Sequence, residues 1–284
     1  MAAGLVPPEE PLILVLNGLD HWECEWIRSK LRHRRCLALR HTLSHGAVLD
    51  AFLKGMTSSF GIMDSDLFVF EPGCFRKAME ISANETASVF FSERKLAFKF
   101  PVPLTFFLFL NQPLLKALRR KYKVGAMACK FDELPALARQ RLMEIGFDTA
   151  HYPQVHKQYF DTLQALLFLG LADGKQFRLQ AEHSTTFTIS REMVHIGAVS
   201  YGHTFGEPDK YHWRGAYFAA RALEACQDEA LQRRYESKHP WMSTESVLRK
   251  VPGGREGIGH EFCEFVEETV RTNFGAQGSR LIAS

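Results

Sequence analysis

At 284 residues the chain is long enough to bury a substantial core, as one large α/β domain or a domain with an appendage. Its 46% hydrophobic and 24% charged residues are ordinary globular values, and a net charge of +3 gives no compositional support for nucleic-acid binding. The cysteines Cys24, Cys36, Cys74, Cys129, Cys226 and Cys263 are scattered without a Cys-x-x-Cys pair, which excludes a disulfide framework and fits a reducing, cytoplasmic setting.

Residues 1–11 are proline-rich and expected to be frayed. They hold no basic run followed by an apolar core, so no signal peptide is expected. Leu12-Ile13-Leu14-Val15-Leu16 is a continuous apolar run ending at Asn17-Gly18, the pattern of a buried parallel strand entering a turn. Asp20 is placed to cap a helix over 22–32, and Leu37-Ala38-Leu39 reads as a short second strand. Ser44 is placed to cap a helix that runs to Gly55. The apolar run 60–70 then reads as a third strand, broken by Asp64 and Asp66. This β-α-β-α-β rhythm predicts a parallel sheet with helical crossovers, whose ligands bind at the carboxyl ends of the strands. Asn17-Gly18 and Asp64/Asp66 both sit at such ends.

Further along, strands are expected over 89–91, 95–100 and 105–110, and a basic helix over 112–121. Helices follow over 134–145 and 159–169, with short strands over 177–179 and 187–189. The segment 193–203 precedes one long helix over 211–234 and a last helix over 259–272. Residues 1–205 thus read as an α/β domain and 206–284 as a helical extension packed on it. The glycine-rich stretch 253–259 has no strand ahead of it, which argues against a dinucleotide loop. The longest apolar stretch, 102–110, falls short of the ~20 residues that span a bilayer. With Lys116, Arg119, Arg120, Lys121 and Lys123 behind it, it suits either peripheral contact with an anionic membrane face or a core strand followed by an exposed helix.

Asp64 and Asp66 carry the chemistry. Residues i and i+2 of a strand point the same way, so both carboxylates are expected to face one point. Burying two carboxylates is costly without a cation or donors, and hard oxygen ligands suit Mg²⁺ or Mn²⁺. The plain alternative is a strand-end turn with solvated aspartates, because Asp-x-Asp alone is a weak pattern.

Three pieces in a fixed order extend the reading. They are the strand ending in Asn17-Gly18 with Glu25-Trp26 in the helix after it; Ser44-His45-Gly46-Ala47-Val48-Leu49-Asp50 leading to Met63-Asp64-Ser65-Asp66-Leu67; and Val194-His195-Ile196-Gly197-Ala198-Val199-Ser200. Together they resemble the family-two glycosyltransferases of the GT-A fold. That family uses a nucleotide-diphosphate sugar, usually with a divalent metal, and generally inverts the anomeric centre. The resemblance implies a GT-A-like, mostly parallel mixed sheet flanked by helices. It implies Asp66 as a direct metal ligand, with Asp64 helping to hold the metal or the ribose. His195 is implied as a further ligand, its alternative being a core histidine bonded to backbone. Asn17, Gly18 and His45-Gly46 would line or back the nucleotide, or serve only as turn and helix entry. The family's base is an acidic residue between the metal motif and the histidine. Asp132, by its position after the small-residue stretch 125–129, is the favoured candidate, with Asp161, in Tyr-Phe-Asp-Thr, as the other; either could instead start a helix.

The chain departs from the family at Leu16, where aspartate is frequent, and in residues 1–11, where relatives carry a strand and a base-gripping loop. Beside a transferase acting on a carbohydrate or lipid-linked acceptor, these departures leave a second class open: a catalytically impaired GT-A-fold binding or assembly protein. A third is a metal-dependent phosphoester hydrolase using Asp64, Asp66 and His195. A homo-oligomer is compatible with each.

Overall fold

The computed structural model describes residues 2–93, 100–147, 159–180, 192–196, 210–226, 228–238 and 243–274. In chain order the first elements are β1 (Ile13–Leu16), α1 (His21–Lys30), β2 (Arg35–Ala38), α2 (His45–Gly55), β3 (Phe60–Met63), β4 (Leu67–Val69) and α3 (Gly73–Met79). Then come β5 (Glu85–Glu93), β6 (Val102–Leu110), α4 (Gln112–Tyr122), β7 (Cys129–Lys130), α5 (Ala136–Glu144), β8 (Tyr159–Phe160), α6 (Gln164–Ala172), β9 (Gln176–Leu179) and β10 (Met193–His195). The C-terminal part is helical: α7 (Lys210–Ala225), α8 (Glu229–Lys238), α9 (Thr244–Lys250), α10 (Gly254–Ile258) and α11 (His260–Phe274).

Side-chain caps fix the first helices where the sequence placed them. Asp20 accepts from the Glu23 amide at 2.9 Å and Glu23 accepts from the Asp20 amide at 3.0 Å, a reciprocal box opening α1. Ser44 accepts from the Ala47 amide and opens α2. Asn111 caps α4, which buries Gln112, Leu115, Leu118 and Tyr122 at helical spacing.

The architecture is mixed α/β with flanking helices. β1 and β2 pair in parallel, as the β-α-β rhythm predicts. The third expected strand breaks the pattern. It is two strands, β3 and β4, in different sheets, with Asp64-Ser65-Asp66 as the turn between them. β3 joins a four-stranded sheet ordered β3-β6-β5-β9, in which β6 is antiparallel to both neighbours and β9 is parallel to β5. β4 pairs antiparallel with β10, and β7 with β8.

One face of the larger sheet, Ala87, Val89, Leu108 and Leu110, packs under α2, α4, α5 and α6, which is apolar after Gln164. The other face is phenylalanine-rich and packs on α3 and on the β4–β10 ribbon. That ribbon alternates as a strand must. Leu67, Val69 and Met193 face the sheet, while Phe68 and Val194 face a third cluster with Tyr217 and Phe218 of α7 and Val266 and Phe274 of α11. Phe68 meets Phe218 and Phe274 edge-on, with centroids at 5.0 and 6.0 Å. The residues of the Asp turn are therefore clamped between two cores.

Three expectations need correction. Residues 2–11 are not frayed: residues 2–5 form a 3₁₀ turn, Ala2 and Val6 are buried, and Arg34 holds the strap that follows. Its guanidinium donates to the carbonyls of Val6, Pro7 (2.7 Å), Pro8 (3.4 Å) and Glu10 (2.7 Å). The helix expected over 159–169 begins only at Gln164, because Tyr159–Phe160 pairs with Cys129–Lys130. The single helix expected over 211–234 is two, because the Asp228 carboxylate caps the Leu231 amide (3.0 Å) and restarts the chain as α8. The same carboxylate accepts from Trp26 Nε1 (3.1 Å) and Lys30 Nζ (2.8 Å), which ties the break to α1. The strand expected over 105–110 is the buried end of the central strand, so the apolar half of the 102–123 stretch packs in the core, as one of its two readings expects. In its basic half, Arg119 makes a forked pair with Asp50 (3.0 and 3.2 Å) and Lys121 pairs with Asp173. The expected strand over 187–189, most of 95–100, and 197–203 lie outside the described residues. Among the described residues no helix is long and apolar enough to cross a membrane.

Candidate metal centre

The ladder between β5 and β6 slips beside the Asp turn. Val89 pairs with Leu108 but Phe91 pairs with Leu104, so two steps on one strand match four on the other. A bulge of this kind re-aims side chains. Here it lets Phe90 and Phe91 share one face with Phe106 and Phe107. Phe106 then lies against the His195 imidazole at 3.9 Å between centroids and 24° between planes, with Phe91 at 6.0 Å.

Backbone pairing sets the carboxylates against that imidazole. The Asp64 amide donates to the Phe106 carbonyl (2.9 Å), extending the β3–β6 ladder by one residue. The Leu67 amide donates back to the Asp64 carbonyl (3.2 Å), closing a four-residue turn. The Asp66 carbonyl accepts from the Ile196 amide (3.0 Å), and His195 pairs with Leu67. As a result His195 Nε2 stands 3.5 Å from Asp66 Oδ1, and one ligand atom from each of Asp64, Asp66 and His195 lies within 4.8 Å of the others. The expectation that both carboxylates converge holds, but through a turn rather than a strand face.

The electrostatics of the cluster are those of a site short of positive charge. Burial, then the charge on Asp66, push the Asp64 carboxyl up to about 7; Asp161 adds to this and His195 opposes it. His45 Nε2 lies 3.9 Å from Asp64 Oδ1, and burial lowers its pKa against the pull of Asp161. Two carboxylates and a deeply buried imidazole (side chain 2% exposed) form a donor set that fits Mn²⁺ or Mg²⁺, the nitrogen favouring Mn²⁺.

The other expected residues divide. Asp161 acts by its charge on both Asp64 and His45, raising the pKa of each. Its Oδ1 accepts from the Thr162 amide (2.7 Å), and Oδ2 has no partner among the described residues. Asp132 is exposed on a 3₁₀ turn after β7. Because β7 and β8 are antiparallel, Asp132 leaves one end of that ladder while Asp161 leaves the other. Asn17 exchanges two hydrogen bonds with the backbone of Leu43 (2.8 and 2.9 Å). Gly18, at φ +76°, turns the chain beside Thr42. Both shape the loop that leads into Ser44 and His45.

Gly46 explains why the helix entry reads His-Gly. A Cβ there would stand 2.6 Å from Met127 Cα and 3.2 Å from the Ala126 carbonyl oxygen. Gly46→Ala is expected to cost about 1–3 kcal/mol, because backbone must move on both sides. Chemical denaturation measures the loss. Sequence reasoning missed Phe106, Phe91 and Gln164. Nothing in the sequence marks the bulge that aims the two rings, whereas Asp161-Thr162-Leu163-Gln164 carries a capping spacing that could have flagged Gln164.

Residues 1–115 match the family described as StrH glycosyltransferase N-terminal domain. The chain is glycosyltransferase-like. The match takes in Asn17, His45 and the Asp64–Asp66 turn and stops before Asp161 and His195. Comparison with curated proteins and with solved structures returns no match.

Proposed function

We propose that this protein is a metal-dependent, inverting glycosyltransferase that moves a sugar from a nucleotide-diphosphate sugar to a hydroxyl acceptor, on a GT-A-like scaffold. The observation that supports it most is the gathering of Asp64, Asp66 and His195 from two segments far apart in the chain, in a protein whose N-terminal part is similar to a glycosyltransferase domain.

In this reading Asp66 and His195 hold the cation, and Asp64 completes the set or holds the ribose. A bound divalent cation supplies positive charge to the departing diphosphate. Phe106 and Phe91 fix the plane of the imidazole and exclude water from its buried side. Asp161 takes the acceptor hydroxyl's proton on Oδ2 as the acceptor oxygen bonds to the anomeric carbon and the bond from that carbon to the diphosphate breaks. Asp161 is preferred over Asp132 because its charge reaches Asp64 and His45. Asn17 and Gly18 shape the loop beside the nucleotide. The acceptor class is a carbohydrate or a lipid-linked hydroxyl.

The test is thermal stabilisation by UDP, GDP and dTDP with and without Mn²⁺. One nucleotide is expected to raise the melting temperature only when Mn²⁺ is present. No shift with any of them would count against transfer, and phosphate release from p-nitrophenyl phosphate would favour the hydrolase.

A further inference from the structure

Asp161 is delivered by an unusual piece of backbone. Leu163, two residues on, sits in the left-handed region at φ +66° although it is not glycine. The residue is 1% exposed and its amide donates to the Ala126 carbonyl at 2.8 Å. A conformation of this kind persists only where surroundings over-determine it, and such places cluster at working sites. The strongest local constraint is Gln164, itself 2% exposed. Its Oε1 accepts from the Asp161 amide at 2.9 Å, and its Nε2 donates to the Pro103 carbonyl on the central strand at 3.0 Å. The Gln164 amide donates to the Asp161 carbonyl at 3.1 Å.

In an ordinary capping box the first residue's side chain would accept the amide of the residue three further on. Here that amide goes to the Asp161 carbonyl instead. The Asp161 carboxylate is diverted to the Thr162 amide through Oδ1, and Oδ2 has no partner among the described residues. One buried side chain thus anchors the Asp161 backbone to the sheet that also carries Phe106 and the Asp64 turn.

We propose that Gln164 is the positioning residue for Asp161: it fixes the carboxylate relative to the metal cluster by bridging the Asp161 amide to Pro103. This rests on the reading of Asp161 as the base. Gln164 touches no reacting atom. It acts by holding the base where a displacement of about 1 Å can cost on the order of 10²-fold in rate.

The experiment compares wild type, Asp161→Asn, Gln164→Met and Gln164→Glu in release of nucleoside diphosphate from UDP-, GDP- and dTDP-hexoses with Mn²⁺. Melting temperature and Mn²⁺ affinity are measured alongside. Gln164→Met keeps the volume and loses both hydrogen bonds. It is expected to lower kcat about 10–100-fold, with donor KM and Mn²⁺ affinity within twofold of wild type. The acid form of Gln164→Glu keeps an acceptor for Asp161 and a donor for Pro103. It is expected to recover most of the rate at low pH and lose it as its own carboxyl ionises, a pH profile that loss of fold alone does not give. Wild-type kcat in Gln164→Met with Asp161→Asn inactive would overturn the positioning role and leave the base standing. Wild-type rate in Asp161→Asn would overturn both. A parallel fall in kcat and Mn²⁺ affinity in Gln164→Met would mark a structural residue and also overturn the role.

Discussion

Asp66→Asn is expected to remove Mn²⁺ binding and to lower sugar transfer by about 10²–10³-fold while leaving the protein folded. Of the carboxylates, Asp66 stands nearest the buried imidazole, 3.5 Å from Nε2, and its own carbonyl is tied to Ile196. The asparagine keeps the shape and the backbone bond but withdraws the negative charge that would meet a cation. Asp64→Asn is expected to behave differently. It relieves the repulsion that pushes Asp64 up to about 7, so the metal-free protein should become more stable while binding Mn²⁺ less tightly. Isothermal titration with MnCl₂ and thermal melts of the three proteins separate these effects. Equal Mn²⁺ affinity in Asp66→Asn and wild type would remove the turn from the account.

Arg34→Met is expected to destabilise the fold by about 3 kcal/mol, the largest loss expected from one side chain outside the metal centre. The guanidinium is buried, and in place of a paired carboxylate it is met by the carbonyls of Val6, Pro7, Pro8 and Glu10. A methionine would fill the space and leave those carbonyls without their donor. The strap matters beyond its own residues, because Ala2 belongs to the cluster that holds Phe68, Val194 and Ile196 behind the Asp turn. Urea denaturation should show a lower midpoint, and limited proteolysis should cut first near residues 6–10. An unchanged midpoint would mean that the strap contributes nothing net.

Local signals carried the reading as far as local rules reach. Asp20 and Ser44 named their helix starts because capping is decided within four residues. The parallel pairing of β1 and β2 followed from an apolar run, a helix and a second run. Asp64, Asp66 and His195 were legible as residue types in an order, and the structure brings them together. What failed was non-local. The 60–70 run looks like one strand, yet its two halves pair with partners β6 and β10, which lie far on in the sequence. Residues 2–11 look frayed because nothing nearby shows that Arg34 will collect their carbonyls. Position after the small residues 125–129 favours Asp132 as the base; the β7–β8 register, which sends Asp132 and Asp161 to opposite ends of the ladder, is set by tertiary pairing. The phenylalanines at 91 and 106 become neighbours of His195 only through a slipped ladder that composition does not reveal.

Manganese titration followed by electron paramagnetic resonance addresses the central claim most directly, because it needs neither donor nor acceptor. The account predicts one Mn²⁺ per chain, with coupling to an imidazole nitrogen that disappears in His195→Ala and binding that is lost in Asp66→Asn. Mn²⁺ that does not bind, or that binds equally to wild type and both variants, would contradict it.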